Sequence, residues 1–110
     1  MQSFGLALNL KNDPQAIEKY KAYHRNVWPE VETALKHVGI TSMKIFLIGP
    51  KLFMYIETVD DFLPDRDFPK YLENNARCKQ WDELMRTFQE KIPEAADAEW
   101  WALMEPVYEL

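Results

Sequence analysis

Tyr20, His24 and Trp28 follow one another at intervals of four residues and run directly into Pro29-Glu30. Side chains four apart stand one above another on a helix face, so this spacing sets a phenol beside an imidazole. Imidazole takes and gives protons near neutral pH without special tuning, which makes general acid–base catalysis the chemistry within reach. A histidine on an apolar helix face is more often structural. Here, however, a packed core would use Leu and Ile, because buried phenols, imidazoles and indoles each require a polar partner. Pro29 breaks the helix just after Trp28, where side chains can surround a small cavity.

The other candidates have simpler explanations. His37 suits the negative end of a helix, and Glu30 the positive end. Glu57 alternates with Phe53 and Tyr55 on a strand and is a candidate buried acceptor, while Glu105 completes the titratable set. No metal is expected, since the two histidines are far apart and no Cys or carboxylate cluster has ligand spacing. With 3 glycines and neither a phosphate loop nor a G-x-S-x-G elbow, nucleotide and acyl-enzyme chemistry drop out. Aromatic residues make up 14% of the chain, including 4 tryptophans, and flat indoles stack on the C–H faces of sugars as readily as they fill cores. Trp81 shares a helix stripe with Cys78, Met85 and Phe88, so packing is its simplest role; Trp28 stands at a helix break.

These side chains need a frame. Phe4, Leu6, Leu8 and Leu10 alternate with smaller residues as in a strand. Asp13 then suits an N-cap and Pro14 the first helical position, opening a helix whose inward stripe is Ile17, Tyr20 and His24. A second helical piece starts at Pro29, with Val31, Leu35 and Val38 inward and Gly39 as its C-terminal cap. Strands at Ile40–Ile48 and Leu52–Val59 are joined as a hairpin through Gly49-Pro50-Lys51. Asp60–Phe68 reads as a loop, and a helix from about Pro69 to Gln89 turns Leu72, Cys78, Trp81, Met85 and Phe88 inward. Pro93–Ala98 reads as a second loop and Trp100–Tyr108 as a final strand, with Pro106 near an edge.

The order β-α-β-β-α-β is the split βαβ arrangement of α+β, ferredoxin-like folds. Both faces of the central hairpin are apolar: Met43, Ile45 and Leu47 alternate with Lys44, Phe46 and Ile48, and Leu52, Met54 and Ile56 alternate with Phe53 and Tyr55. Sheets packed face to face across a two-fold axis would bury the second face, so a homodimer is expected.

A chain of 110 residues makes one domain, residues 1–110. Its 13 basic and 18 acidic residues leave a net charge of −5 with no basic patch, which argues against nucleic acid. The N-terminus reads as mature sequence, and no apolar run approaches the roughly 20 residues of a membrane helix. Cys78, alone, cannot form an intrachain disulfide; it reads as a buried spectator thiol and points to the cytoplasm.

Taken together, Tyr20-x3-His24-x3-Trp28-Pro29-Glu30, Gly39 before the second strand, and Cys78-x2-Trp81-x3-Met85 resemble the L-rhamnose mutarotase family over nearly the whole chain. The resemblance implies a dimeric α/β barrel of ferredoxin-like topology that interconverts the α and β anomers of a 6-deoxy-hexose without a cofactor. It carries a general-acid role onto His24 and sugar contacts onto Tyr20 and Trp81. Two positions depart from the pattern: Asp82 replaces the second of a pair of tryptophans, and Met43 replaces a tyrosine early in the second strand. Both are candidate substrate-binding positions that alter the pocket lining without touching the proton donor. They leave L-rhamnose and L-fucose both open as the monosaccharide, since Asp82 could hydrogen-bond a hydroxyl that a tryptophan would stack against. In this scheme an imidazolium of pKa near 6.5 donates to the ring oxygen, and the base is Tyr20, Tyr55, Glu57 or a water. The alternatives are a small dimeric α/β-barrel oxygenase and a non-catalytic sugar-binding module.

Overall fold

The computed structural model describes all 110 residues, Met1–Leu110. Strand β1 (Gln2–Leu10) turns Leu6, Leu8 and Leu10 into the core, as its alternation predicts. Helix α1 (Pro14–His24) opens as expected: Asp13 has an extended backbone, its carboxylate accepts from the Gln15 N–H at 3.1 Å, and Pro14 sits in the first turn. The chain then bends before Pro29 starts α2 (Pro29–His37), which carries Glu30 and Glu32 in its first turn and Lys36 and His37 in its last. Gly39 ends it at φ 105°, donating to the Lys36 carbonyl at 3.1 Å. A Cβ there would lie 2.7 Å from Val59 Cγ2, so both the backbone and the packing require glycine.

Strands β2 (Ile40–Ile48) and β3 (Lys51–Thr58) form the expected antiparallel hairpin, turning through Gly49 at φ 56° and Pro50. β3 then pairs with β1 from Gln2↔Thr58 to Asn9↔Lys51. Up to this point sequence and structure agree closely.

The second half departs from expectation in two places. In place of a loop over Asp60–Phe68 and one helix over Pro69–Gln89, there are two helices, α3 (Pro64–Asn74) and α4 (Ala76–Arg86). Pro64 takes the first turn of α3, and Asp67 reaches back to accept from the Leu63 N–H at 2.8 Å. Asn75 makes the break: its backbone is extended, and its side chain caps α4 by accepting from the Arg77 N–H at 2.8 Å. The inward residues nevertheless continue across the break, which hides it from a periodicity argument.

The final strand is also divided. Gln89–Glu90 (β4) pairs with Asn9 and Leu10, and Ala102–Leu103 (β5) pairs with Leu6 and Ala7. Residues 91–101 leave the sheet between them. The Glu99 carboxylate ties this excursion together by accepting from the N–H groups of Ala96 at 2.9 Å and Leu103 at 3.1 Å. After the Met104 N–H bonds to the Gly5 carbonyl, the ladder ends and Pro106 brings no N–H to extend it.

The antiparallel sheet has the order β2-β3-β1, with β4 and β5 sharing the far edge of β1. This is the α+β, ferredoxin-like arrangement, with all four helices contributing to one face. Leu8, Leu10 and Leu52 pack there with Tyr20, Val31, Trp81 and Met85. A second cluster joins Leu6, Ile40, Met54, Ile56 and Phe62. On the opposite face Phe46 and Phe53 stack with centroids 6.1 Å apart, and both are exposed, as is Ile48. No helix is long and apolar enough to cross a membrane.

Candidate active site

The helix break predicted around Trp28 brings the aromatic residues together. His24 is the last residue of α1, Trp28 immediately precedes α2, and α4 supplies Trp81. The Tyr20 and His24 rings are 4.4 Å apart, His24 and Trp81 meet edge to face at 5.5 Å, and Trp28 meets Trp81 at 5.1 Å. The side chains singled out by spacing therefore share one wall.

His24 Nδ1 lies 2.8 Å from the backbone carbonyl of Tyr20, one turn back. A carbonyl only accepts, so Nδ1 carries the hydrogen and Nε2 of the neutral ring carries the lone pair. Burial pulls the His24 pKa below 6.5, and the bond to the Tyr20 carbonyl opposes this only partly. The imidazolium expected at pKa near 6.5 is thus the minor form at neutral pH, and the resting ring is a base with its lone pair on Nε2.

Tyr20 is only 4% exposed, and its hydroxyl accepts from Gln89 Nε2 at 3.3 Å. Burial pushes the phenol up to about 12, with the Gln89 bond opposing, so it remains protonated throughout the working range. Gln89 is itself 5% exposed, and its Oε1 accepts from Trp100 Nε1 at 2.8 Å. Neither Gln89 nor Trp100 stands out in the sequence as a site residue. The one available signal was a polar residue in the inward phase next to Phe88, and it is visible only once β4 is known to begin at Gln89.

Asp82 is half-buried on α4 and already has a partner: its Oδ2 accepts from Arg86 Nε at 2.9 Å. The Arg86 guanidinium lies over the Trp100 ring, 4.5 Å from its centroid. A similar arrangement flanks the other side. Arg77 lies 3.7 Å over Trp28 and reaches Glu30 Oε2 at 3.3 Å. Each tryptophan is thus covered by an α4 arginine tethered to a carboxylate.

Not every candidate joins this group. Met43 packs against the second core cluster, not the one holding Tyr20 and Trp81. Tyr55 donates to Glu57 at 2.8 Å, but both alternate with the buried Met54 and Ile56 and so lie on the opposite face of the sheet. That removes them as base partners for His24. Cys78 is fully buried, and burial raises its thiol pKa, as expected for a spectator. A surface cleft of about 340 Å³, lined by His37, Asp67, Lys70 and Glu73, is polar and has no aromatic wall. Its Asp67 carboxylate is already occupied by Arg66 and the Leu63 N–H. No three His, Cys, Asp or Glu side chains converge in a metal-ligating group.

Known proteins share this architecture. The family model for L-rhamnose mutarotase matches residues 3–110. A UPF0734 protein of Dictyostelium discoideum is 52% identical over 99% of this chain and 90% of its own length. An L-fucose mutarotase of Xanthomonas campestris is 33% identical over 92% of this chain and 82% of its own. Among solved structures, an L-rhamnose mutarotase from Formosa agariphila superposes with a TM-score of 0.72 at 21% identity, covering 100% of this chain and 99% of that one, a likeness of fold.

Proposed function

This chain belongs to the L-rhamnose mutarotase family, and we propose that it interconverts the α and β anomers of a 6-deoxy-hexose, L-rhamnose or L-fucose, by opening and reclosing the ring. The observation that carries the mechanism is the His24 hydrogen bond to the Tyr20 carbonyl, which leaves Nε2 as the free lone pair beside the Tyr20 phenol and the Trp81 indole. Nε2 takes the proton of the anomeric hydroxyl. The C1–O bond to the ring oxygen breaks as the C1 carbonyl forms, and the imidazolium hands its proton to that ring oxygen. Both oxygens hang on the same carbon, so one imidazole serves both and acts as general acid in the second half. Rotation about C1–C2 presents the other carbonyl face, and the steps run backwards to the opposite anomer.

The chemistry is a proton relay without net oxidation, so His24 requires no cofactor or metal. Trp81 supports the C–H face of the sugar. Asp82 tunes the wall through Arg86, and Met43, packed on the second cluster, has no part in the proton transfer. Residues 1–110 act as a single cytoplasmic domain with a sugar as partner and no nucleic acid or membrane. The exposed Phe46, Ile48 and Phe53 favour a homodimer with sheets face to face. The relatives favour neither an oxygenase nor a non-catalytic sugar-binding module.

NMR saturation transfer between anomers tests this directly. The wild type should accelerate exchange of L-rhamnose or L-fucose, and His24→Ala should lose roughly 10²–10⁴-fold with its fold intact. No acceleration for either sugar would refute the activity, and full activity in His24→Ala would refute the assigned base.

A further inference from the structure

We propose that Trp100 and Gln89 are positioning residues that fix the polarity of the Tyr20 hydroxyl, leaving it as a hydrogen-bond donor to the sugar. This rests on the mutarotase reading and adds to it a direction for one proton. The starting point is that an indole N–H can only donate. Trp100 Nε1 stands 2.8 Å from Gln89 Oε1, so that end of the amide must be the carbonyl oxygen. The opposite end is then the NH2 group, which faces Tyr20 Oη at 3.3 Å. An NH2 group only donates, and the phenol oxygen must accept from it. The hydrogen of Tyr20 is thereby turned away from Gln89, on a ring that packs against the His24 imidazole with centroids 4.4 Å apart.

Such a donor serves the reaction in a way that a freely rotating phenol does not. As the anomeric oxygen loses its proton to His24, negative charge develops on the sugar oxygens, and a donor already aimed there needs no reorganisation. A phenol free to turn its hydrogen toward Gln89 would spend part of its time facing the wrong way. Gln89 and Tyr20 are both buried, so the polarity that Trp100 imposes on the amide is fixed by side chains and not by solvent. The excursion of residues 91–101 thereby acquires a purpose, since it carries Trp100 back to Gln89 across the split edge strand. Arg86 over the indole, itself held by Asp82, keeps the ring in place.

The decisive variant is Gln89→Glu, which keeps the shape and reverses one end of the relay. The introduced carboxylate accepts from Trp100 and also from Tyr20, capturing the phenol hydrogen that the sugar should receive. The expected loss in kcat/KM is about tenfold, the worth of one hydrogen bond. Tyr20→Phe should lose a similar factor. The double variant Gln89→Glu with Tyr20→Phe should be no worse than Tyr20→Phe alone, because no hydrogen remains to be captured. A merely structural role for Gln89 predicts multiplied losses, about a hundredfold in the double variant, and that result, or wild-type activity in Gln89→Glu, overturns the proposal.

Circular dichroism establishes folding in each case. If Gln89→Glu does not fold, Trp100→Phe removes the directing donor while keeping a ring under Arg86. Its loss of about threefold should likewise vanish in the Tyr20→Phe background, and a loss that persists there overturns the proposal. Wild-type protein inactive on both sugars would sink the mutarotase reading and this relay with it. Active wild type with multiplied losses sinks the relay alone.

Discussion

Asp82 should act on the sugar through Arg86, and not by touching it. The perturbation is a pair of substitutions, Asp82→Ala and Arg86→Met, made singly and together. The ion pair joins residues one turn apart on α4, with side-chain exposures of 30% and 43%, so solvent screens it to roughly 0.3–0.5 kcal/mol. The guanidinium over Trp100 adds roughly 0.5–1 kcal/mol. Arg86→Met therefore loses about 1 kcal/mol, or about 4 °C in Tm for a chain of this size. Asp82→Ala loses only the smaller share and should change KM about twofold. A carboxylate that bonds a sugar hydroxyl directly would instead be worth about 1.5–3 kcal/mol, more than tenfold in KM. Mutarotation rates across a range of L-rhamnose and L-fucose concentrations, together with thermal melts, separate the cases. If Asp82→Ala raises KM more than tenfold for either sugar, and does so equally in the Arg86→Met background, Asp82 is a ligand and the reasoning fails.

Three further outcomes follow from the structure. Burial lowers the His24 pKa, and protonation occupies the lone pair that the reaction needs, so kcat/KM should be flat through neutral pH and fall only below 6.5; a pH–rate midpoint above 7 would contradict this. Gly39→Ala must hold φ 105° and bring a Cβ to 2.7 Å from Val59, so it should lose at least about 1 kcal/mol in urea unfolding. Phe46→Glu places a charge on the exposed sheet face beside Phe53 and should yield monomers by light scattering, with helix content unchanged; a monomeric wild type would remove the dimer from the picture.

The first half of the fold was legible because its punctuation is local. Asp13-Pro14, Pro29 and Gly39 each act within a turn of where they stand, and the alternation of β1, β2 and β3 needs no tertiary knowledge. The break at Asn75 was not legible, because the inward stripe carries on from Tyr71 and Leu72 to Cys78 and Trp81 as though one helix ran through. The expected last strand, Trp100–Tyr108, contains β5 but is longer than its two paired residues, and Gln89–Glu90 is too short a pairing with β1 for any periodicity to register. At the site, Tyr20 and His24 could be named from spacing within one helix, and Trp81 from the family resemblance. Gln89 and Trp100 could not, since they matter only through a hydrogen-bond chain whose members lie far apart in sequence. Asp82 was visible as a departure from the family pattern, but an i, i+4 carboxylate–arginine spacing does not say whether Arg86 or a sugar hydroxyl takes the carboxylate.

The paired covers on Trp28 and Trp100 have a consequence for how the enzyme responds to its surroundings. A neutral sugar gives no electrostatic reason for ionic strength to matter, and neither does proton transfer within one imidazole. Yet both tryptophans are held under arginines whose carboxylate tethers, Glu30 and Asp82, are partly reached by solvent. Dissolved ions weaken such tethers as the screening length falls from about 10 Å at 0.1 M salt to about 3 Å at 1 M, the length of the pairs themselves. Added salt should then loosen the walls and raise KM while leaving the proton relay untouched, making sugar affinity a readout of surface charge in a reaction that involves no charged substrate.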